Sequence, residues 1–327
     1  MATDPPFRRC AVVGCGALGS YYGARLVQAG ANAHFLLRSD YDAVRLSGVR
    51  IESYLGDFHV WPRCARSAAE IGEVDLVLIG LKTTANDQFA ALLPPLVGPQ
   101  TLVVTLQNGL GNEARLSALF GPRNILGGLC FVCLNRLAPG RIHHSAHGNI
   151  VLGEYQRAAA DRTLALAEFF RQAHVPCEVT DDLERAHWEK LVWNVPFNGL
   201  GVAGAAGWRA LESGAVPAGI GRGACLPTDR LLSHPGWTRL ARDLMLEIIR
   251  TAAAFGHAIP ESCADLNIER TRVMGSYRAS TLIDFERGQP IEIESLFLEP
   301  YRRACQAGVP VPRLAALVSV LHQLDRL

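Results

Sequence analysis

Lys190, Asn194 and Asn198 recur at four-residue spacing within His187-Trp188-Glu189-Lys190-Leu191-Val192-Trp193-Asn194-Val195-Pro196-Phe197-Asn198. On a helix that spacing puts one ammonium and two amides on a single face. Their neighbours are mostly apolar, and a polar stripe in such surroundings is costly to bury unless its groups have partners. An ammonium held there can have its proton affinity tuned for proton transfer. The same pattern also fits a structural lysine held by one carboxylate. Pro196 lacks an amide hydrogen and predicts a kink. A second polar group follows in Ser280-Thr281-Leu282-Ile283-Asp284 and Gly288-Gln289-Pro290-Ile291-Glu292-Ile293-Glu294. Glu292 stands between two isoleucines, as an acid on an apolar face or as part of a helix-capping turn.

At the other end of the chain, Gly14-Cys15-Gly16-Ala17-Leu18-Gly19 follows the apolar run Arg9 to Gly14 and leads into an amphipathic segment. In G-x-G-x-x-G placed between a strand and a helix, the first glycine permits a tight turn. The second lets a pyrophosphate approach the backbone, and the third lets helix and strand pack closely. The helix then offers its free N–H groups to phosphate. The next strand ends in Phe35-Leu36-Leu37-Arg38-Ser39. NAD sites usually carry an acid at that place for the ribose hydroxyls, whereas Arg38 can pair with a 2′-phosphate and points to NADPH. Asp40 lies past the position from which the ribose is met. Leu81-Lys82-Thr83-Thr84 and Gln107-Asn108-Gly109-Leu110-Gly111 each follow a strand. Lys82 there supplies charge and Asn108 an amide, although each also fits a helix cap or a solvent contact.

These residues need a scaffold, and the first third of the chain supplies alternating strands and helices. Strands are expected over Arg9 to Gly14, Ala33 to Leu37, Val74 to Leu81 and Thr101 to Leu106, with helices over Leu18 to Gln28 and Thr84 to Leu93. Continuous Val/Leu/Ile runs between helices predict a parallel sheet covered on both faces. Val49 to Trp61 reads as a hairpin around Gly56-Asp57, further strand pieces run to Glu154, and Asp161 to Ala173 reads as a helix. From Asp182 onward nearly everything is helical, apart from a Gly/Ala/Pro-rich stretch over Gly204 to Pro227 with a short helix near Arg209 to Glu212. The expected division is therefore 1–181 for dinucleotide binding and 182–327 for substrate and catalysis.

The formal net charge is +1, which provides no global field for nucleic acid or an anionic membrane. No apolar run long enough to span a bilayer is free of charge or turn formers, and Met1 to Arg9 lacks the apolar core of a signal peptide. Nine scattered cysteines fit reduced thiols in a cytoplasm. Cys130 and Cys133 form C-x-x-C inside an apolar run and are read as packing. His143, His144 and His147 lack a helical pair with a nearby acid, so no metal is expected.

Taken in order, Gly14-Cys15-Gly16-Ala17-Leu18-Gly19, Leu81-Lys82, Gln107-Asn108-Gly109-Leu110-Gly111, Trp188-Glu189-Lys190-Leu191 with Asn194, and Glu292-Ile293-Glu294 resemble the ketopantoate reductase (2-dehydropantoate 2-reductase) family along nearly the whole chain. The resemblance implies an α/β fold, a Rossmann-type parallel-sheet domain followed by an all-helical domain, with the active site in the cleft between them and NADPH as hydride donor. It implies Lys190 as general acid and Glu292 as the residue that orients the substrate through its distal hydroxyl. Asn108, Asn194, Asn198 and Ser280 match positions around the substrate, and Arg38 and Lys82 match positions near the cofactor. Two departures from the family pattern stand out: Asn198-Gly199 in place of Asn-Pro, with a proline at 196, and a longer stretch over 204–227. Reduction of another small 2-oxo acid on the same scaffold, and a dinucleotide-binding redox sensor without turnover, are the alternative readings. The helical half is of a kind that can pair two copies into a homodimer.

Overall fold

The computed structural model describes residues 7–327, so most of the N-terminal stretch read above, Met1 to Pro6, lies outside the described residues. Two compact units emerge, one of Met1–Asn108 with Asn112–Leu183 and one of Gly109–Gly111 with Glu184–Leu327.

The first unit carries β1 (Arg9–Val13), α1 (Ala17–Gln28), β2 (Asn32–Leu36), α2 (Tyr41–Ser47), β3 (Val49–Ser53), β4 (Phe58–Val60), β5 (Arg63–Ala65), α3 (Ala68–Ile71) and β6 (Val74–Ile79). After them come α4 (Phe89–Leu92), β7 (Val97–Thr105), α5 (Asn112–Phe120), β8 (Ile125–Ala138), β9 (Arg141–Glu154), α6 (Asp161–Gln172) and β10 (Cys177–Val179). Among the described residues the ten strands form one sheet in the order β4-β3-β9-β8-β7-β6-β1-β2-β5, with β10 paired to β9. From β8 across to β5 every neighbouring pair is parallel.

The strand sequences explain this core. In β1, Cys10 and Val12 join one buried cluster while Ala11 and Val13 join another, and β6 divides Leu76 and Leu78 from Val77 and Ile79 in the same way. Alternate side chains point to opposite faces, so a strand that is apolar at every position is stable only if both faces are covered. Each fully buried Val, Leu or Ile contributes about 1.5–3 kcal/mol relative to exposure. The sheet is mixed rather than wholly parallel, because β8 with β9 and β3 with β4 are antiparallel. The second of these is the expected hairpin, with Gly56 at φ 110° in its turn. The helix expected over Thr84 to Leu93 divides into a 3₁₀ segment, Thr83–Gln88, and the single turn of α4.

The second unit is helical: α7 (Leu183–Ala203), α8 (Trp208–Ser213), α9 (Thr228–Ser233), α10 (Pro235–Ala254), α11 (Ser262–Arg272), α12 (Ser280–Glu286), a π-helical turn at Glu294–Leu298, α13 (Glu299–Gln306) and α14 (Pro312–Leu324). One large apolar cluster runs through it, with Trp188, Val192, Phe197, Leu244, Phe297 and Leu321 fully or almost fully buried. α7 is continuous through Pro196. The stretch over 204–227 is tied to the core at several points. Leu226 N–H donates to the Gly201 carbonyl at 2.9 Å, and the Gln323 amide bonds both the Gly214 carbonyl at 2.8 Å and Val216 N–H at 2.9 Å. Among the described residues no helix is long and apolar enough to cross a membrane.

Candidate active site

Register brings four strand-end segments of the first unit together. Val13 at the end of β1 lies opposite Leu36 of β2 and Ile79 of β6, and Ile79 lies opposite Thr105 of β7. The segments that follow these residues therefore leave the sheet side by side at its carboxyl edge, where open α/β sheets bind ligands. They are Gly14–Gly16, Leu37–Arg38, Gly80–Lys82 and Leu106–Asn108. The structure thus brings together four segments that the sequence places far apart.

The three glycines have different physical reasons. Gly14 has φ 91°, and a Cβ on it would lie 2.3 Å from Leu81 N. A Cβ on Gly19 would lie 2.2 Å from the Gly14 carbonyl oxygen, so the start of α1 packs on the turn itself. A Cβ on Gly16 meets nothing within 4 Å, which leaves open space beside the backbone at the point where a pyrophosphate would approach. Ser20 fastens the turn through a 2.9 Å bond from its hydroxyl to the Cys15 carbonyl. Burial pushes the Cys15 thiol well up, with Cys64 and Asp40 adding to the effect. Arg38 and Lys82 are exposed, and Lys82 immediately precedes the 3₁₀ segment.

Asn108 is placed by a buried amide relay that sequence reasoning missed. The Thr105 hydroxyl donates to Gln107 Oε1 at 2.9 Å, Gln107 Nε2 to Asn86 Oδ1 at 2.8 Å, and Asn86 Nδ2 to Asn112 Oδ1 at 2.9 Å. Asn112 Nδ2 then donates to the Asn108 carbonyl at 3.1 Å. Buried amides with each hydrogen bond made fix one conformation. The available signal was the density of Thr, Gln and Asn at the ends of apolar strands.

In the helical unit, Lys190 is half-buried on α7, while Asn194 and Asn198 are buried at 7% and 3% exposure. Asn198 Nδ2 donates to the Asn194 carbonyl at 3.1 Å, and its Oδ1 accepts the Thr281 N–H at 3.2 Å and the Ser280 hydroxyl at 3.4 Å. Asn198 therefore caps α12 from a distance and ties Ser280 to the polar face of α7. Glu292 is buried at 4% exposure, two residues before the π-helical turn. Gly109–Gly111 group with this unit: Leu110 N–H donates to the Ser295 carbonyl at 2.9 Å, and a Cβ on Gly109 would lie 2.3 Å from that oxygen. Lys82 and Lys190 are the two lysines of a sequence with 32 lysines and arginines together. Where cationic side chains are overwhelmingly arginine, these two positions use an amine, the group whose proton affinity can be tuned.

The histidine-rich segment is structural. His144 is buried, with Nδ1 2.9 Å from the Ser53 hydroxyl and Nε2 2.9 Å from the His147 carbonyl. Among the described residues no group of three or more His, Cys, Asp or Glu side chains is placed to hold a metal ion.

A glycine cradle at the carboxyl edge of a largely parallel sheet, followed by a helical unit with an amine and amides on one face, is the construction of a dinucleotide-binding oxidoreductase. The family model described as Ketopantoate reductase PanE/ApbA matches residues 10–157, and the model of its C-terminal part matches residues 224–325. A 2-dehydropantoate 2-reductase of Nostoc sp. is 36% identical over 97% of this chain and 95% of its own. A crystal structure of 2-dehydropantoate 2-reductase from Geobacter metallireducens superimposes with TM-score 0.87 at 43% identity, covering 96% of this chain and 99% of that one. One from Methylococcus capsulatus gives 0.84 at 34% identity, covering 97% of each chain. The chain belongs to the ketopantoate reductase family. The α7 residues fall between the two matched segments, and the alignment with the Nostoc relative spans nearly the whole chain.

Proposed function

We propose that this protein reduces 2-dehydropantoate (ketopantoate) to pantoate with NADPH, a step of pantothenate and coenzyme A biosynthesis in the cytoplasm. The observation that carries the reading is the polar face of α7: Lys190, Asn194 and Asn198 share one helix face within an apolar core, and Asn198 is bonded to Ser280. The family relationship gives that face its chemical meaning. On this reading residues 1–181 form the dinucleotide-binding domain and 182–327 the substrate and catalytic domain.

Gly14, Cys15, Gly16, Ala17, Leu18 and Gly19 would hold the pyrophosphate, with Arg38 on the 2′-phosphate and Lys82 and Asn108 near the rest of the cofactor. When bound, NADPH supplies the hydride that adds to the 2-oxo carbon. Lys190, as an ammonium, holds the 2-oxo oxygen and gives it a proton from Nζ as that oxygen gains negative charge. The resulting neutral amine regains its proton from solvent. A fixed cation beside a developing alkoxide stabilises the transition state more than the ground state. Asn108, Asn194, Asn198 and Ser280 offer hydrogen bonds around the substrate. Glu292, buried between the core residues Ile291 and Ile293 in sequence, would accept a hydrogen bond from the substrate's distal hydroxyl. Two copies would associate as a homodimer.

The test compares ketopantoate with 2-oxoisovalerate, which lacks the hydroxyl, in wild type and in Glu292→Gln. Wild type should favour ketopantoate strongly, and the substitution should erase most of that preference while leaving 2-oxoisovalerate nearly unaffected. Equal use of both acids by wild type would favour the alternative, reduction of another small 2-oxo acid.

A further inference from the structure

The acid that follows β2 is not available to a ribose. Asp40 is buried at 7% exposure and lies two residues past Arg38, in a turn closed by Tyr41 N–H donating to the Arg38 carbonyl at 3.4 Å. As the residue preceding α2, its carboxylate would ordinarily accept N–H groups of the first helical turn, but it makes no such bond. It turns instead to Arg136, 96 residues away. Arg136 Nη2 donates to both carboxylate oxygens at 2.7 Å, and Arg136 Nε donates to Oδ2 at 3.1 Å. The Ser39 hydroxyl adds a bond to Oδ1 at 3.0 Å. The β8–β9 hairpin makes this reach possible. β8 pairs with β7 only through Gly127, then continues to Ala138 with β9 alongside, and its far end carries Arg136.

We propose that Arg136 is a positioning residue for cofactor choice: by engaging the Asp40 carboxylate it removes both an acceptor for ribose hydroxyls and a negative charge that would oppose a 2′-phosphate at Arg38. The proposal rests on the NADPH reading above and deepens it. A dinucleotide with two free ribose hydroxyls gains from an open carboxylate at the end of β2, whereas a 2′-phosphorylated one loses by repulsion. The fork of Arg136 decides which of these Asp40 presents. Arg136 itself is 39% exposed at the side chain, so its outer edge faces solvent while its inner edge holds the acid.

The experiment measures binding rather than turnover, with 2′,5′-ADP and 5′-AMP as probes, by calorimetry on the full chain. Wild type should favour 2′,5′-ADP. Arg136→Gln should reduce that preference by about tenfold, the effect of one unscreened carboxylate charge near a phosphate at intermediate dielectric, with little change for 5′-AMP. Adding Asp40→Asn to it should restore the preference, because the released charge is then gone. Asp40→Asn alone avoids a buried unpaired acid and should bind 2′,5′-ADP at least as tightly as wild type. Equal weakening of both probes by Arg136→Gln, failure of Asp40→Asn to restore the preference, or a loss of 2′,5′-ADP affinity in Asp40→Asn alone would overturn the proposal. A wild type that does not distinguish the probes would instead overturn the NADPH reading, and this inference with it. A preference lost in Arg38→Ala but untouched in Arg136→Gln would overturn only the role of Arg136.

Discussion

Replacing Gly16 by alanine adds a methyl group where the protein has no atom within 4 Å, so the fold and the ligand should report it differently. Gly16 precedes α1 with φ −74° and ψ −153°, an extended conformation open to alanine. Reduced freedom of the unfolded chain favours the variant by about 0.4–1 kcal/mol, and the weaker helix-capping of alanine opposes it by a similar amount. Net stability should therefore change by less than about 0.5 kcal/mol on these offsetting estimates. Dinucleotide affinity should fall by at least tenfold, about 1.4 kcal/mol, because the methyl occupies the space left for the pyrophosphate. Gly14→Ala is the contrast. Its φ of 91° and the 2.3 Å approach to Leu81 N combine backbone strain of about 1–3 kcal/mol with overpacking of similar size. At about 2–4 °C per kcal/mol for a domain of this size, its melting temperature should drop by on the order of 10 °C. Thermal melts and quenching of tryptophan fluorescence by NADPH and NADH would read both effects. A Gly16→Ala protein that melts as early as Gly14→Ala, or that binds dinucleotide as wild type does, would refute the assignment of that open space to the ligand.

Glu247 of α10 accepts N–H groups of Arg313 at 3.0 Å and Leu314 at 2.8 Å, capping α14 from another helix. Glu247→Ala should cost about 1–3 kcal/mol for the donors left without a partner, and Glu247→Gln less, in denaturant titrations; equal stability of all three proteins would contradict the capping role. Burial lowers the His144 pKa below its ordinary value of 6.5, so the folded state keeps the ring neutral. Its stabilisation should be fully present above that value and lost as pH falls below it, because the unfolded chain then binds more protons. The melting temperature of wild type should fall more steeply below pH 6.5 than that of His144→Asn, and parallel curves would rule this contribution out.

Strand and helix alternation in the first third was legible because each parallel strand is covered on both faces and must read as a continuous apolar run. The glycine turn between β1 and α1 and the four-residue spacing of Lys190, Asn194 and Asn198 on one helix were legible because spacing of one or four residues is local information. What the sequence could not express were contacts made by long-range register and curvature. The partner of Asp40, a guanidinium 96 residues away, depends on how far the β8–β9 hairpin extends. The amide relay behind Asn108 was hidden likewise, since Asn86 and Asn112 meet only when β6 and β7 are paired. Within the half that reads as nearly all helical, the segment leading into α13 is a π-helical turn, with Pro300 falling in the first turn of α13. Leu298 and Glu299 are both helical, so Pro300 follows a turn already formed, and its missing amide hydrogen breaks the α ladder where the π turn ends. Apolar periodicity alone does not distinguish an α turn from a π turn.

The most direct test follows NADPH absorbance in the presence of ketopantoate, for wild type and Lys190→Ala, with NADPH affinity measured on the same preparations. NADPH-dependent turnover by wild type, together with a loss of about three orders of magnitude or more in kcat for Lys190→Ala at unchanged NADPH affinity, is the predicted result for a general acid that also stabilises charge. A Lys190→Ala protein that turns over within a few-fold of wild type would contradict the account and move the proton donor elsewhere.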